Sequence, residues 1–137
     1  MIKIYIVDKS NLKPRKNDLV YYVIAENNSF KMREEALKIY NKILSSDLSK
    51  EVNIYNQIKE SNLYTIFVES ILLLNYKFEK YKSKKSSILK ITYQNPELIN
   101  KSMIEGVFIA RDLVNEPLSF LTAKQLAKEI KKYSKKS

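Results

Sequence analysis

The sequence predicts a small α/β layered domain of about four strands with helices packed against them, followed by a helical linker. Three features carry that prediction. Period-two runs of β-branched residues open the chain, apolar stripes at helical spacing alternate with further such runs as far as Tyr93, and from residue 97 the pattern is helical alone. With 137 residues and 45% hydrophobic content, the chain is long enough to bury roughly two-thirds of its unfolded surface in one domain and too short for two full ones. Residues 1–95 are expected to form the α/β body and residues 96–137 the linker and one further helix.

Ile2, Ile4 and Ile6 alternate with Lys3 and Tyr5 and give a first strand, ended by Val7 and Asp8. Pro14 and the polar residues 13–18 make a turn. Leu19 to Ala25 is apolar or aromatic without a break, as in a strand covered on both faces, and predicts a second, central strand. Asn27, Asn28 and Ser29 offer N-cap chemistry, and Met32, Ala36, Leu37, Ile39, Tyr40, Ile43 and Leu44 follow at helical spacing. Glu34 and Glu35 are expected in the first turn of that helix, where negative charge complements the dipole.

Glu51 to Ile58 alternates, with Val52, Ile54, Asn56 and Ile58 on one side, and reads as a short edge strand. Leu63, Ile66, Phe67, Ile71, Leu74, Phe78 and Tyr81 form a helical stripe of about five turns, capped by Ser61 or Asn62. Ile88 to Tyr93 predicts the last strand, punctuated by Asn95 and Pro96. Pro96 suits the first turn of a helix, and Leu98 to Val114 continue that helix to Pro117. Gly106 lies in its middle, where glycine costs about 1 kcal/mol relative to Ala. Close packing of a neighbouring backbone is the expected reason for it. Thr122 caps a final short helix with a Lys-rich end.

The absence of Cys and His removes disulfides, thiolate metal sites, cysteine nucleophiles and the commonest general base. A single glycine excludes phosphate-cradling glycine loops and dinucleotide fingerprints. Two-metal hydrolysis needs several converging carboxylates, yet only Glu105, Asp112 and Glu116 share a helix face, spread over more than two turns; a solvated face, or an ion pair of Asp112 or Glu116 with a nearby Lys, is expected. No catalytic or metal-ligating residue is therefore assigned, and no cofactor is expected in this chain.

The net charge of +10 is mostly Lys, in a composition rich in Ile, Asn and Tyr that an AT-biased genome explains without an anionic partner. It is uneven: residues 1–75 carry 11 cations and 9 anions, residues 76–137 carry 14 and 6. Tyr76, Phe78 and Tyr81 interleave with Lys77, Lys80, Lys82, Lys84 and Lys85, the composition of a surface that stacks bases and contacts phosphates. Phe78 and Tyr81 are, however, expected on the core stripe of their helix, and Lys is favoured at a helix C-terminus in any case. No signal peptide or bilayer-spanning run is apparent, so no membrane partner is expected and the cytoplasm is the default location.

Two stretches resemble the leucyl (cytosol) aminopeptidase family. NYKFEKYKSKK, Asn75 to Lys85, is similar to the segment that closes the N-terminal domain of those enzymes, and GVFIARDLVNEPLSFLTAKQLA, Gly106 to Ala127, is similar to the segment that joins that domain to the catalytic one. Leu118, Ser119 and Ala123 depart from the family's usual residues. The resemblance implies a macro-domain-like body, then a linker helix and the start of a catalytic domain. It also implies a parent enzyme, a homohexamer with two divalent metals (Zn or Mn), that releases N-terminal amino acids from peptides. The family's metal ligands and catalytic Lys and Arg lie downstream of the resembling stretches, so none maps onto this chain. Arg111, Asp112, Asn115, Glu116 and Pro117 match the connecting motif and are expected to fix an interdomain joint.

The expected function is that of a non-catalytic N-terminal domain, as a cut piece or a truncated gene product, whose partner is the catalytic domain of the same enzyme. Two alternatives of other classes are a basic nucleic-acid-binding module using Lys77 to Lys90, and an assembly domain whose helix 97–117 docks on a partner.

Overall fold

The computed structural model describes residues 1–8, 20–25, 28–46, 50–59, 61–86 and 88–134. Within them, β1 (Ile2–Val7), β2 (Val20–Ile24), β3 (Glu51–Gln57) and β4 (Lys90–Tyr93) form one sheet in the order β2-β1-β3-β4. All three pairings are parallel, with Ile4 opposite both Tyr21 and Ile54, and Ile54 opposite Tyr93. Helices α1 (Ser29–Leu44), α2 (Ser61–Leu74), α3 (Lys101–Asn115) and α4 (Ala123–Tyr133) complete the layering, and the last two form the helical C-terminal segment.

The alternation in β1 does what its period dictates. Ile2, Ile4 and Ile6 are fully buried, and with Val52 and Ile54 of β3 they meet Met32, Ala36, Tyr40 and Ile43 of α1 and Tyr64, Phe67 and Ile71 of α2 in one core. Tyr5, on the other face of β1, stacks on Tyr22 and Tyr55 at ring-centroid distances of 5.6 and 4.8 Å. Those are cross-strand aromatic pairs of the kind that stabilise sheets.

Asn28 caps α1 as expected, its Oδ1 accepting from Phe30 N at 2.9 Å and Lys31 N at 3.3 Å; Asn27 lies outside the described residues, as do Pro14, residues 13–18 and Leu19. Since α1 starts at Ser29, Glu34 and Glu35 fall beyond the first turn, and Glu35 pairs instead with Lys38 at 2.7 Å.

Four further expectations are corrected. β2 lies at the edge of the described sheet and β3 inside it, the reverse of the prediction. The unbroken apolar run of β2 reflects aromatic packing along an edge, Tyr22 on Tyr5 and Tyr21 under Lys42 at 5.1 Å, so only Val23 is fully buried there. The stripe through Phe78 and Tyr81 does not continue α2, which ends at Leu74. Asn75 stops it: its side chain pairs with the backbone of Leu89, accepting from N at 3.1 Å and donating to O at 2.9 Å, while Tyr40 OH donates to Asn75 Oδ1 at 3.3 Å. This backbone-like pairing ties the residue after α2 to the residue before β4.

The helix predicted from Pro96 to Pro117 is two pieces. Pro96 does open a helical turn, but it is the 3₁₀ turn Pro96–Leu98, entered through Asn95 in the left-handed region (φ 51°), a conformation that Asn tolerates. Asn100 then caps α3, accepting from Met103 N at 3.0 Å. Gly106, on the exposed side of α3, has nothing within 4 Å of the position a Cβ would take, so no close approach explains it. Buried Ile99 and Ile104, with Phe108 packed alongside, tie α3 to the core.

Candidate functional site

The residues singled out on α3 converge on the segment that follows α2. Phe108, Arg111, Asp112 and Asn115 stand at i, i+3, i+4 and i+7, one face of a helix. All four meet Tyr76. The ring of Phe108 tilts against it at 5.3 Å, and the Arg111 guanidinium lies over it at 5.4 Å. Tyr76 OH donates to Asp112 Oδ1 at 2.7 Å and accepts from Asn115 Nδ2 at 3.3 Å. Arg111 also donates to the carbonyl of Leu73 at 2.7 Å. That oxygen belongs to the last turn of α2, where carbonyls lack partners within the helix and a cation is favoured. Burial, then the hydrogen bond to the Asp112 carboxylate, push the Tyr76 phenol above its ordinary value.

A second knot lies one residue beyond α3. Pro117 forces Glu116 into extended backbone (φ −68°, ψ 136°), as expected before proline. The Glu116 carboxylate, only 7% exposed, ion-pairs with Lys80 and accepts from Tyr81 OH. Lys80 holds this carboxyl below its ordinary pKa of 4.5, with Tyr81 OH reinforcing it. The carboxylate in turn raises both Lys80 and Tyr81. Phe120 closes the knot, with Lys80 Nζ 4.4 Å from its ring and Tyr81 edge-on at 6.3 Å. The exposed Pro117 offers its carbonyl to Phe120 N and Leu121 N, each at 2.9 Å, and Thr122 caps α4.

The basic candidates divide. Lys77 is half-buried and Lys80 is committed to Glu116, whereas Lys82, Lys84 and Lys85 are exposed. Tyr81, expected in the core, is 54% exposed, and its ring packs against Phe78 at 5.9 Å as well as Phe120. Sequence reasoning placed Arg111, Asp112, Asn115 and Glu116 in the joint but missed Tyr76, Tyr81 and Phe120 as their partners. The signal for the two tyrosines was their place in Asn75 to Lys85, which the family resemblance also marked.

Among the described residues no three His, Cys, Asp or Glu side chains are grouped to hold a metal ion. Asp112 and Glu116 are each engaged by donors of this chain, and Glu105 is exposed. These residues do not fit the pair of divalent ions that the resemblance implies. No helix among the described residues is long and apolar enough to cross a membrane.

No protein-family profile matches the chain. It is similar to several curated proteins. It is 33% identical over 115 residues to the probable cytosol aminopeptidase of Clostridium tetani (strain Massachusetts / E88), a match that covers 74% of this chain and 23% of that protein. The probable cytosol aminopeptidase of Treponema denticola is 29% identical across 91% of this chain and 29% of its own length. That of Fusobacterium nucleatum subsp. nucleatum is 36% identical over 85 residues, 57% of this chain and 18% of that protein. The chain thus spans less than a third of the length of these relatives.

Proposed function

Because the chain belongs to the cytosol aminopeptidase family over the stretch it shares with these relatives, we propose that it is a non-catalytic, N-terminal part of a leucyl aminopeptidase. In this reading residues 1–95 are a peripheral body, residues 96–137 lead into the catalytic domain, and the parent enzyme is a cytoplasmic homohexamer. Its two divalent ions, Zn or Mn, are held by residues outside this chain. Arg111, Asp112, Asn115, Glu116 and Pro117 set the direction in which the chain leaves α3.

The observation that carries the reading is the use to which the family-motif residues are put. Asp112 and Glu116 spend their charge on Tyr76, Lys80 and Tyr81. They act as fasteners between α3 and the segment after α2, and among the described residues neither belongs to a group of three His, Cys, Asp or Glu side chains able to hold an ion. The nucleic-acid alternative gains no support, since Lys80 and the rings of Phe78, Tyr81 and Phe120 are occupied by one another.

The test is hydrolysis of leucine p-nitroanilide by the purified chain with Mn²⁺ or Zn²⁺. No metal-stimulated turnover is expected, and clear turnover overturns the proposal. The joint is tested by grafting this chain onto the Clostridium tetani relative in place of the matched stretch. Glu116→Ala should then lower activity and thermal stability together, and an unchanged chimera refutes the joint.

A further inference from the structure

α3 and α4 are held in opposite ways. Buried Ile104, Phe108 packed on the core, and the bonds of Arg111, Asp112 and Asn115 tie α3 to α2 and the segment after it. Helix α4 has no buried residue. Its sequence is nonetheless sorted into three flanks: Ala123, Leu126, Ala127 and Ile130 at i, i+3, i+4 and i+7, then Lys124, Lys128 and Lys131, then Gln125, Glu129 and Lys132.

It is the third flank that turns to the rest of the chain. Glu129 and Lys132, with Tyr133, line a hollow of about 650 Å³ shared with Phe78, Ile88 and Leu113, and Glu129 is engaged by Gln125 at 3.1 Å and Lys132 at 3.8 Å. The apolar stripe is left outside: Ile130 is 55% exposed, Ala123 and Ala127 are exposed, and Leu126 is half-buried. A surface helix ordinarily turns such a stripe to the core, and a helix of 11 residues is marginal in water without that packing. The stripe therefore needs a cover that the described residues do not supply.

Three covers differ in what they require. A second copy needs roughly 800 Å² from each partner, whereas one face of such a helix, about 16 Å long and about 10 Å wide, offers on the order of 160 Å². A lipid surface needs a wide apolar face rich in large side chains, and two of the four residues here are alanines. The third cover is the polypeptide that accompanies this stretch in its relatives: the Clostridium tetani protein is matched over 74% of this chain and only 23% of its own length, so most of such a protein lies outside the match. We propose that α3 closes the α/β unit and that α4 is the first element of the next folded unit, seating Ala123, Leu126, Ala127 and Ile130 in the core of that unit. This rests on the reading of the chain as part of an aminopeptidase, and it adds which face of α4 meets the remainder of the enzyme.

The experiment is amide hydrogen exchange of the chain alone and of the Clostridium tetani chimera described above, each with and without Ile130→Glu. In the chain alone, α4 amides should exchange about tenfold or more faster than those of α3, and Ile130→Glu should leave Tm within about 2 °C at every protein concentration. In the chimera, α4 exchange should slow about tenfold or more. Ile130→Glu should reverse that slowing, while Phe30→Glu, on the exposed face of α1, should leave it intact. If α4 of the chain alone exchanges as slowly as α3, or Ile130→Glu there lowers Tm beyond that limit, the stripe is already covered and the proposal is overturned. An active chimera whose α4 exchanges as fast as in the chain alone overturns this inference only, and an inactive chimera overturns the aminopeptidase reading with it.

Discussion

Replacing Arg111 by Met should destabilise the chain by about 2 kcal/mol. The guanidinium donates to Leu73 O at 2.7 Å and lies 5.4 Å from the Tyr76 ring centroid. A hydrogen bond from a charged donor is worth roughly 1.5–3 kcal/mol net, and a partly exposed cation–π contact adds about 0.5–1. Arg111 is half-buried, so water reaches the freed carbonyl and the low end of both ranges applies. Met keeps the packing of the aliphatic stem, which limits the change to the polar head.

The assay is urea unfolding followed by far-ultraviolet circular dichroism. The midpoint should fall with m unchanged, and Tm should drop by about 6–10 °C at this chain length. Arg111→Lys should recover only part of the loss, because an ammonium lacks the planar fork that spans carbonyl and ring. Arg33→Met, on the exposed side of α1, should stay within about 0.5 kcal/mol. If Arg111→Met also stays within that limit, the joint does not hold α3 in the way described.

Gly106→Ala should stabilise the chain by about 0.5–1 kcal/mol, since the new methyl meets nothing within 4 Å and helix propensity favours Ala; thermal unfolding reads it. Glu116 titrates below its ordinary 4.5 in the folded chain, so its contribution is complete above that value and is lost as pH falls through the folded pKa. Urea midpoints measured against pH should accordingly decline less steeply on the acid side for Glu116→Gln than for the parent chain. Burial pushes the Tyr64 phenol up to about 12, and its hydroxyl donates to Gln94 O at 2.6 Å. Its contribution is complete below the ordinary 10.0 and is lost as pH rises through the folded value. Spectrophotometric titration of the native chain should show a late tyrosinate transition that is missing in Tyr64→Phe.

The parts of the fold that were legible are those governed by local periodicity. Ile2, Ile4 and Ile6, the set Met32, Ala36, Ile39, Tyr40 and Ile43, and the pair Val52 and Ile54 all bury the face their spacing dictates. The order of the strands was not legible, because Val20 to Ile24 is apolar for a reason that alternation cannot distinguish, aromatic packing at an edge. Phe78 and Tyr81 sit at helical spacing from Ile71 and Leu74, so only the long-range pairing of Asn75 with Leu89 reveals that α2 has ended. In the candidate site, the motif Arg111 to Pro117 was visible as a string of residue types, and the spacing that puts Phe108, Arg111, Asp112 and Asn115 on one face followed from it. The anchor they share, Tyr76, comes from a different segment, and a contact 36 residues away in sequence leaves no local pattern.

Whether the Asp112 and Glu116 carboxylates are fasteners or ligands is decided by a carboxyl ¹³C NMR titration of the chain, with and without Zn²⁺ or Mn²⁺. The midpoint of Glu116 should lie below 4.5 and rise toward that value in Lys80→Met, with no response of either residue to Zn²⁺ and no localised Mn²⁺ broadening at either. An ordinary midpoint for Glu116, or saturable metal-induced changes at Asp112 and Glu116 together, would contradict the fastener role.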